Sequence, residues 1–120
     1  EDRPIHSYAD NDEDGSYGPT IITEHNLVVD GVSRNVWLLL GHLSRESLTA
    51  LEIGSPIKKG EQIGAMGEEH ENGGWPPHVH IQLSMDEPVV PDLEGVVSPE
   101  NRDDALRRYP DPRNILGNLY

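Results

Sequence analysis

At 120 residues the chain is long enough for one domain with a modest core. Its net charge of −13, from 22 acidic against nine basic residues, creates a field that repels nucleic acid and anionic membrane surfaces. The absence of cysteine excludes disulfides and thiolate metal sites, and no apolar run approaches the roughly 20 residues of a membrane span.

The first residue is Glu1, with no methionine or leader, as expected of a fragment, a processed form or a trimmed piece. Ile5 to Ala9 predicts a short strand. The acidic stretch Asp10-Asn11-Asp12-Glu13-Asp14-Gly15 then suits a solvated turn; its alternating acids suggest calcium, but the register of a calcium loop with its closing Glu is missing. Thr20 to His25 is β-rich. Leu27-Val28-Val29 and Val32 to Leu40 flank Asp30-Gly31, a strong hairpin signal. Val36-Trp37-Leu38-Leu39-Leu40 is continuously apolar and predicts a central strand buried on both faces, ending at Gly41-His42-Leu43.

Ser44 to Leu51 predicts a short helix, with Ser44 as N-cap and Glu46 in the first turn. From Ile53 to Gly64 the glycines punctuate two very short strands joined by a Lys58–Glu61 turn. A lipoyl-type carrier hairpin has a similar rhythm, but two adjacent lysines before Gly60 fit it poorly. Glu68 to Gly74 is a polar loop containing His70. It leads into Trp75-Pro76-Pro77-His78-Val79-His80-Ile81-Gln82-Leu83, where the prolines stiffen the approach and alternation puts His78, His80 and Gln82 on one strand face. Two imidazoles two residues apart form a metal or acid–base constellation, or else two histidines on a solvated face. Residues 86–97 are rich in proline and acid. Ser98-Pro99-Glu100 starts a surface helix through about Arg108, and Ile115-Leu116-Gly117 is expected to dock the tail back. The reading is one mainly β domain over 1–120: a small antiparallel sheet in 1–85, then loop, helix and tail in 86–120.

The ordered segments Gly18…Ile21-Ile22-x-x-His25, Gly41-His42-Leu43-Ser44, Gly54-x-x-Ile57-x-x-Gly60-x-x-Ile63-Gly64-x-x-Gly67 and Pro77-His78-Val79-His80 resemble the lysostaphin-type zinc metallopeptidases, which cleave peptide bonds in peptidoglycan. The resemblance implies His80 as a zinc ligand. It implies that His42 and His78 line the same cleft, orienting a zinc-bound water and stabilising the oxyanion, with peptide or peptidoglycan as substrate. It also implies that these three histidines converge.

The same resemblance exposes a deficit. Such enzymes take two further ligands, a His and an Asp four residues apart, from a segment ahead of the matched strands. His6 and Asp10 have that spacing, but Ile5 to Ala9 aligns better with the strand that follows the ligand segment. The Tyr expected two residues before His42 is Leu40. The chain therefore reads as a peptidase-like core with an incomplete ligand set, active only if a further segment or second chain supplies the rest. The alternatives are a catalytically dead peptide- or protein-binding module, a cupin-like His-x-His metal protein, and a three-histidine zinc site of His42, His78 and His80. The acidic tail, with Pro110-Asp111-Pro112, resembles a subgroup linked to aminotransferase chains. A cytoplasmic location would go with that subgroup, and the cell envelope or secretion with the typical family.

Overall fold

The computed structural model describes residues 3–93 and 98–113. Five antiparallel strands form one sheet in the order β4-β1-β2-β3-β5: β1 (Arg3–Asn11), β2 (Gly18–Val29), β3 (Val32–Gly41), β4 (Pro56–Ile57) and β5 (His80–Ser84). A seven-residue helix, α1 (Arg102–Arg108), follows a 3₁₀ turn at Pro99–Asn101. The expected docking of Ile115-Leu116-Gly117 lies outside the described residues.

The β2–β3 hairpin is closed by Asp30 and Gly31 at φ +51° and +77°. Two left-handed residues give a two-residue turn whose twist matches that of the strands. β3 is exposed as far as Asn35 and from Val36 onward is buried, with Leu38 and Leu40 half-buried, where β5 joins it through pairs running from Trp37↔Ser84 to Gly41↔His80. Alternation then divides the apolar residues between two faces. Tyr17, Ile22, Trp37 and Leu39 cluster on one; Ile5, Ile21 and Leu43 cluster on the other, backed by Leu40, Leu48 and Ile57. Each fully buried Ile or Leu among them contributes about 1.5–3 kcal/mol.

Three local expectations are corrected. The helix expected over Ser44–Leu51 is a single 3₁₀ turn, Arg45–Leu48, capped by Ser44 and followed by Ala50 at φ +61°. Of the two strands expected between Ile53 and Gly64, only Pro56–Ile57 pairs, opposite Arg3 and Pro4. Prolines on both partners remove ladder donors, so this edge stays two residues long. The strand expected from His78 begins at His80, because the His78 Nδ1–H turns back to donate to Pro76 O at 2.7 Å.

The loop before the site is held by Glu71, whose Oε1 accepts from Arg45 N at 2.8 Å and whose Oε2 accepts from Glu68 N at 3.2 Å. The N–H groups of Arg45 and Glu68 hold its carboxyl below the ordinary value of 4.5. A carboxyl whose pKa is depressed by folding stabilises the fold above 4.5, and that stability is lost as pH falls through the folded value. Glu71→Gln is therefore expected to melt lower than the parent at pH 6 and to narrow the gap as pH falls below 4.5, as thermal melts across that range would show. A gap that stayed constant with pH would contradict this role.

Candidate functional site

The sheet end where β3 stops and β5 starts opens into a cavity of about 460 Å³. His42 forms its floor. It is 4% exposed and sits at φ +60°, a left-handed conformation that costs a non-glycine residue about 1 kcal/mol. Three hydrogen bonds hold it there. Its N–H donates to Tyr17 O at 2.6 Å, its carbonyl accepts from Gly67 N at 2.9 Å, and its Nδ1–H donates to Asn72 O at 2.8 Å. Burial lowers the His42 pKa, partly opposed by the Asn72 carbonyl and reinforced by His78 and His80, so the ring is held neutral. Because a carbonyl only accepts, the neutral ring carries its proton on Nδ1 and its lone pair on Nε2.

His78 and His80 complete the cluster. The His78 ring lies 4.3 Å, centroid to centroid, from that of His42, and His80 lies 5.9 Å from it. The Pro76 carbonyl fixes His78 in the same tautomer as His42. The His80 Nε2–H donates to Gln82 Oε1 at 2.9 Å, and the same oxygen accepts from Tyr17 OH at 3.1 Å, which leaves the His80 lone pair on Nδ1. The Tyr17 ring lies 4.7 Å from that of His80, tilted by 58°. It can do so because residue 41 is glycine: a Cβ there would come within 3.2 Å of the Tyr17 ring. Burial first, then the Asp92 and Tyr109 charges, pushes the Tyr17 phenol up to about 12, so it stays a donor.

Trp75 closes one side, 5.9 Å from His42 and 6.2 Å from His78, and its indole N–H donates to Ser16 O at 3.1 Å. Asp92 and Leu93 also line the cavity. Beneath Trp75 lies Asn72, fully buried. Its Nδ2 donates to Gly67 O at 3.1 Å and Trp75 O at 2.8 Å, and its Oδ1 accepts from Trp75 N at 2.9 Å. Tyr17, Asn72 and Asp92 were not singled out in the sequence. The triplet Asn72-Gly73-Gly74 was the available signal, since an Asn before two glycines often bonds backbone in a turn.

His6 and Asp10 are not brought to this cavity. The β-bulge between Ile5 and Ser7 inserts a residue, so their spacing of four no longer puts them on one face. His6 lies on the Trp37 side, 6.4 Å from that ring, with Nε2 2.9 Å from Glu87 Oε1. Asp10 pairs with Arg45 at 3.0 Å, on the side of the Leu43 cluster.

Among the described residues no group of three or more His, Asp or Glu side chains is placed to hold a metal ion, neither the three histidines nor the acidic loop after Asp10. Three imidazoles with fixed tautomers can donate, accept and relay protons around a bound amide.

Residues 7–91 match the model of Peptidase family M23. No curated protein and no solved structure matches the chain. The family match leaves the cupin-like alternative without support.

Proposed function

Because the chain belongs to Peptidase family M23, whose members are generally zinc-dependent and act on peptidoglycan, we propose that residues 1–120 form a peptidase-type peptide-binding cleft whose metal-ligand set is incomplete. What supports the proposal is the close cluster of three imidazoles, beside which no group of three or more His, Asp or Glu among the described residues is placed to hold a metal ion. His80 is the residue to ligate zinc, with His42 and His78 beside it as the proton-handling groups. The remaining ligands come from a further segment or a second chain. The tail around Pro110-Asp111-Pro112 fits the aminotransferase-linked subgroup within the same reading.

Without those ligands, the chain's own chemistry is recognition. The lone pairs on His42 Nε2 and His78 Nε2 accept from peptide N–H groups, and the Trp75 and Tyr17 rings provide flat apolar contact.

The test is a zinc titration by calorimetry with a glycyl-peptide hydrolysis assay alongside. Residues 1–120 are expected to bind zinc far more weakly than the about 10 kcal/mol or more of complete sites, and to show no turnover. Stoichiometric tight zinc with cleavage abolished by His80→Ala would overturn the proposal.

A further inference from the structure

We propose that the cleft selects peptides bearing an ammonium group, and that Asp92 makes the selection. The inference rests on the peptide-binding reading above and adds the charge of the ligand to it.

Among the described residues, charged side chains of only one sign line this cavity: the imidazoles, Tyr17, Trp75 and Leu93 stand with one carboxylate, Asp92, and with no lysine or arginine. That carboxylate is held in place. Leu93 anchors the segment by packing on the cluster of Tyr17, Ile22, Trp37 and Leu39. Asn11 Nδ2 donates to Pro91 O at 3.1 Å, and Asp92 N donates to Val90 O at 2.7 Å. Asp92 Oδ1 accepts from Leu93 N at 2.9 Å, and Asp92 is exposed, with no ion pair among the described residues. Arg108 lines a neighbouring hollow that Asp92 and Leu93 also line, and it is paired with Asp104 at 3.0 Å.

Trp75 lines the same cavity as Asp92 and is 41% exposed, and an indole ring is a good partner for a cation. An ammonium group in this cavity that meets both the carboxylate and the indole gains a charge-assisted hydrogen bond and a cation–π contact, in a protein whose net charge of −13 attracts cations. The family match ends at residue 91, one residue before Asp92.

The ammonium could be a peptide N-terminus or a side-chain amine, and three probes separate these sources. The protein is titrated with triglycine amide, N-acetyl-triglycine amide and N-acetyl-glycyl-lysyl-glycine amide, and the Trp75 indole and histidine ring resonances are followed. Triglycine amide is expected to bind about tenfold tighter than its acetylated form, and the advantage should shrink as salt is added. If the lysine peptide shares the gain, a side-chain amine also serves; if it does not, the N-terminus is the group recognised. Asp92→Asn keeps the acceptor for Leu93 N and is expected to remove the advantage of the charged peptide over the acetylated one. Equal affinities for charged and neutral peptides, or an advantage that survives Asp92→Asn, overturn the charge selection and leave the peptide cleft standing. Failure of all three probes to bind overturns the peptide-binding reading itself.

Discussion

Asn72→Ala is expected to destabilise the protein by about 3 kcal/mol, which lowers the melting temperature of a domain this size by roughly 10 °C. The substitution removes the partner of three backbone groups at once: Gly67 O, Trp75 O and Trp75 N. Each unpaired group loses about 1 kcal/mol or more where water cannot replace the amide, and the Asn72 side chain is fully buried. The loss should also be local. Asn72 O accepts the His42 Nδ1–H, and Trp75 leads directly into Pro76, whose carbonyl orients His78. The His42 and His78 ring resonances should therefore broaden or shift in the variant, while those of the distal β2–β3 hairpin stay in place. Asn72→Asp is expected to do no better, because a buried carboxylate would face two carbonyl oxygens. Thermal melts with histidine ring spectra check both variants, and a parent-like melting temperature for Asn72→Ala would contradict this account.

Gly73→Ala should cost a similar amount, about 3 kcal/mol, for a different reason. Gly73 has φ +95°, and a Cβ there would overlap the Ser16 carbonyl oxygen, a backbone atom that cannot swing aside. Two hydrogen bonds close this seam: Gly15 N donates to Gly73 O at 2.8 Å and Trp75 Nε1 to Ser16 O at 3.1 Å. Forcing the two loops apart should speed hydrogen exchange at the Gly15 amide and the Trp75 indole, and widen the cleft mouth. Gly31→Ala provides the contrast. Its φ of +77° is also left-handed, but a Cβ there meets nothing within 4 Å, so only the conformational cost of about 1 kcal/mol remains. Equal destabilisation by the two substitutions would show that conformation, not the seam, sets the cost.

Periodicity made the sheet legible. Alternation and the Asp30-Gly31 signal located β1, the β2–β3 hairpin and the buried run Val36–Leu40, because these depend on local pattern and on burial of regular faces. Where a local rule competed with a neighbour, the reading slipped. The Pro76 carbonyl captures the His78 ring and delays β5 by two residues, and prolines facing each other across β1 and β4 cut the expected pair of strands to one. The site was only partly legible. His42, His78 and His80 stood out as residue types, but their common cavity depends on pairing Gly41 with His80 across the chain. Asn72 and Asp92 sit in loops whose partners come from elsewhere, so no periodicity marks them. The spacing of His6 and Asp10 was misleading for the opposite reason, since the bulge between Ile5 and Ser7 cannot be read from spacing alone.

The strand order also has a kinetic consequence. The β2–β3 ladder closes a loop of two residues, whereas the β3–β5 ladder joins segments about forty residues apart. Contacts of short separation form early and those of long separation wait for the chain to search, so the hairpin is expected to zip first and β5 to arrive late. Because His80 opens β5 and His42 follows β3, the imidazole cluster assembles only when this last edge docks. The same order runs in reverse during thermal fluctuation. Brief detachment of β5 disperses the histidines while the hairpin remains folded, so the cleft samples an open, unassembled form far more often than the whole molecule unfolds.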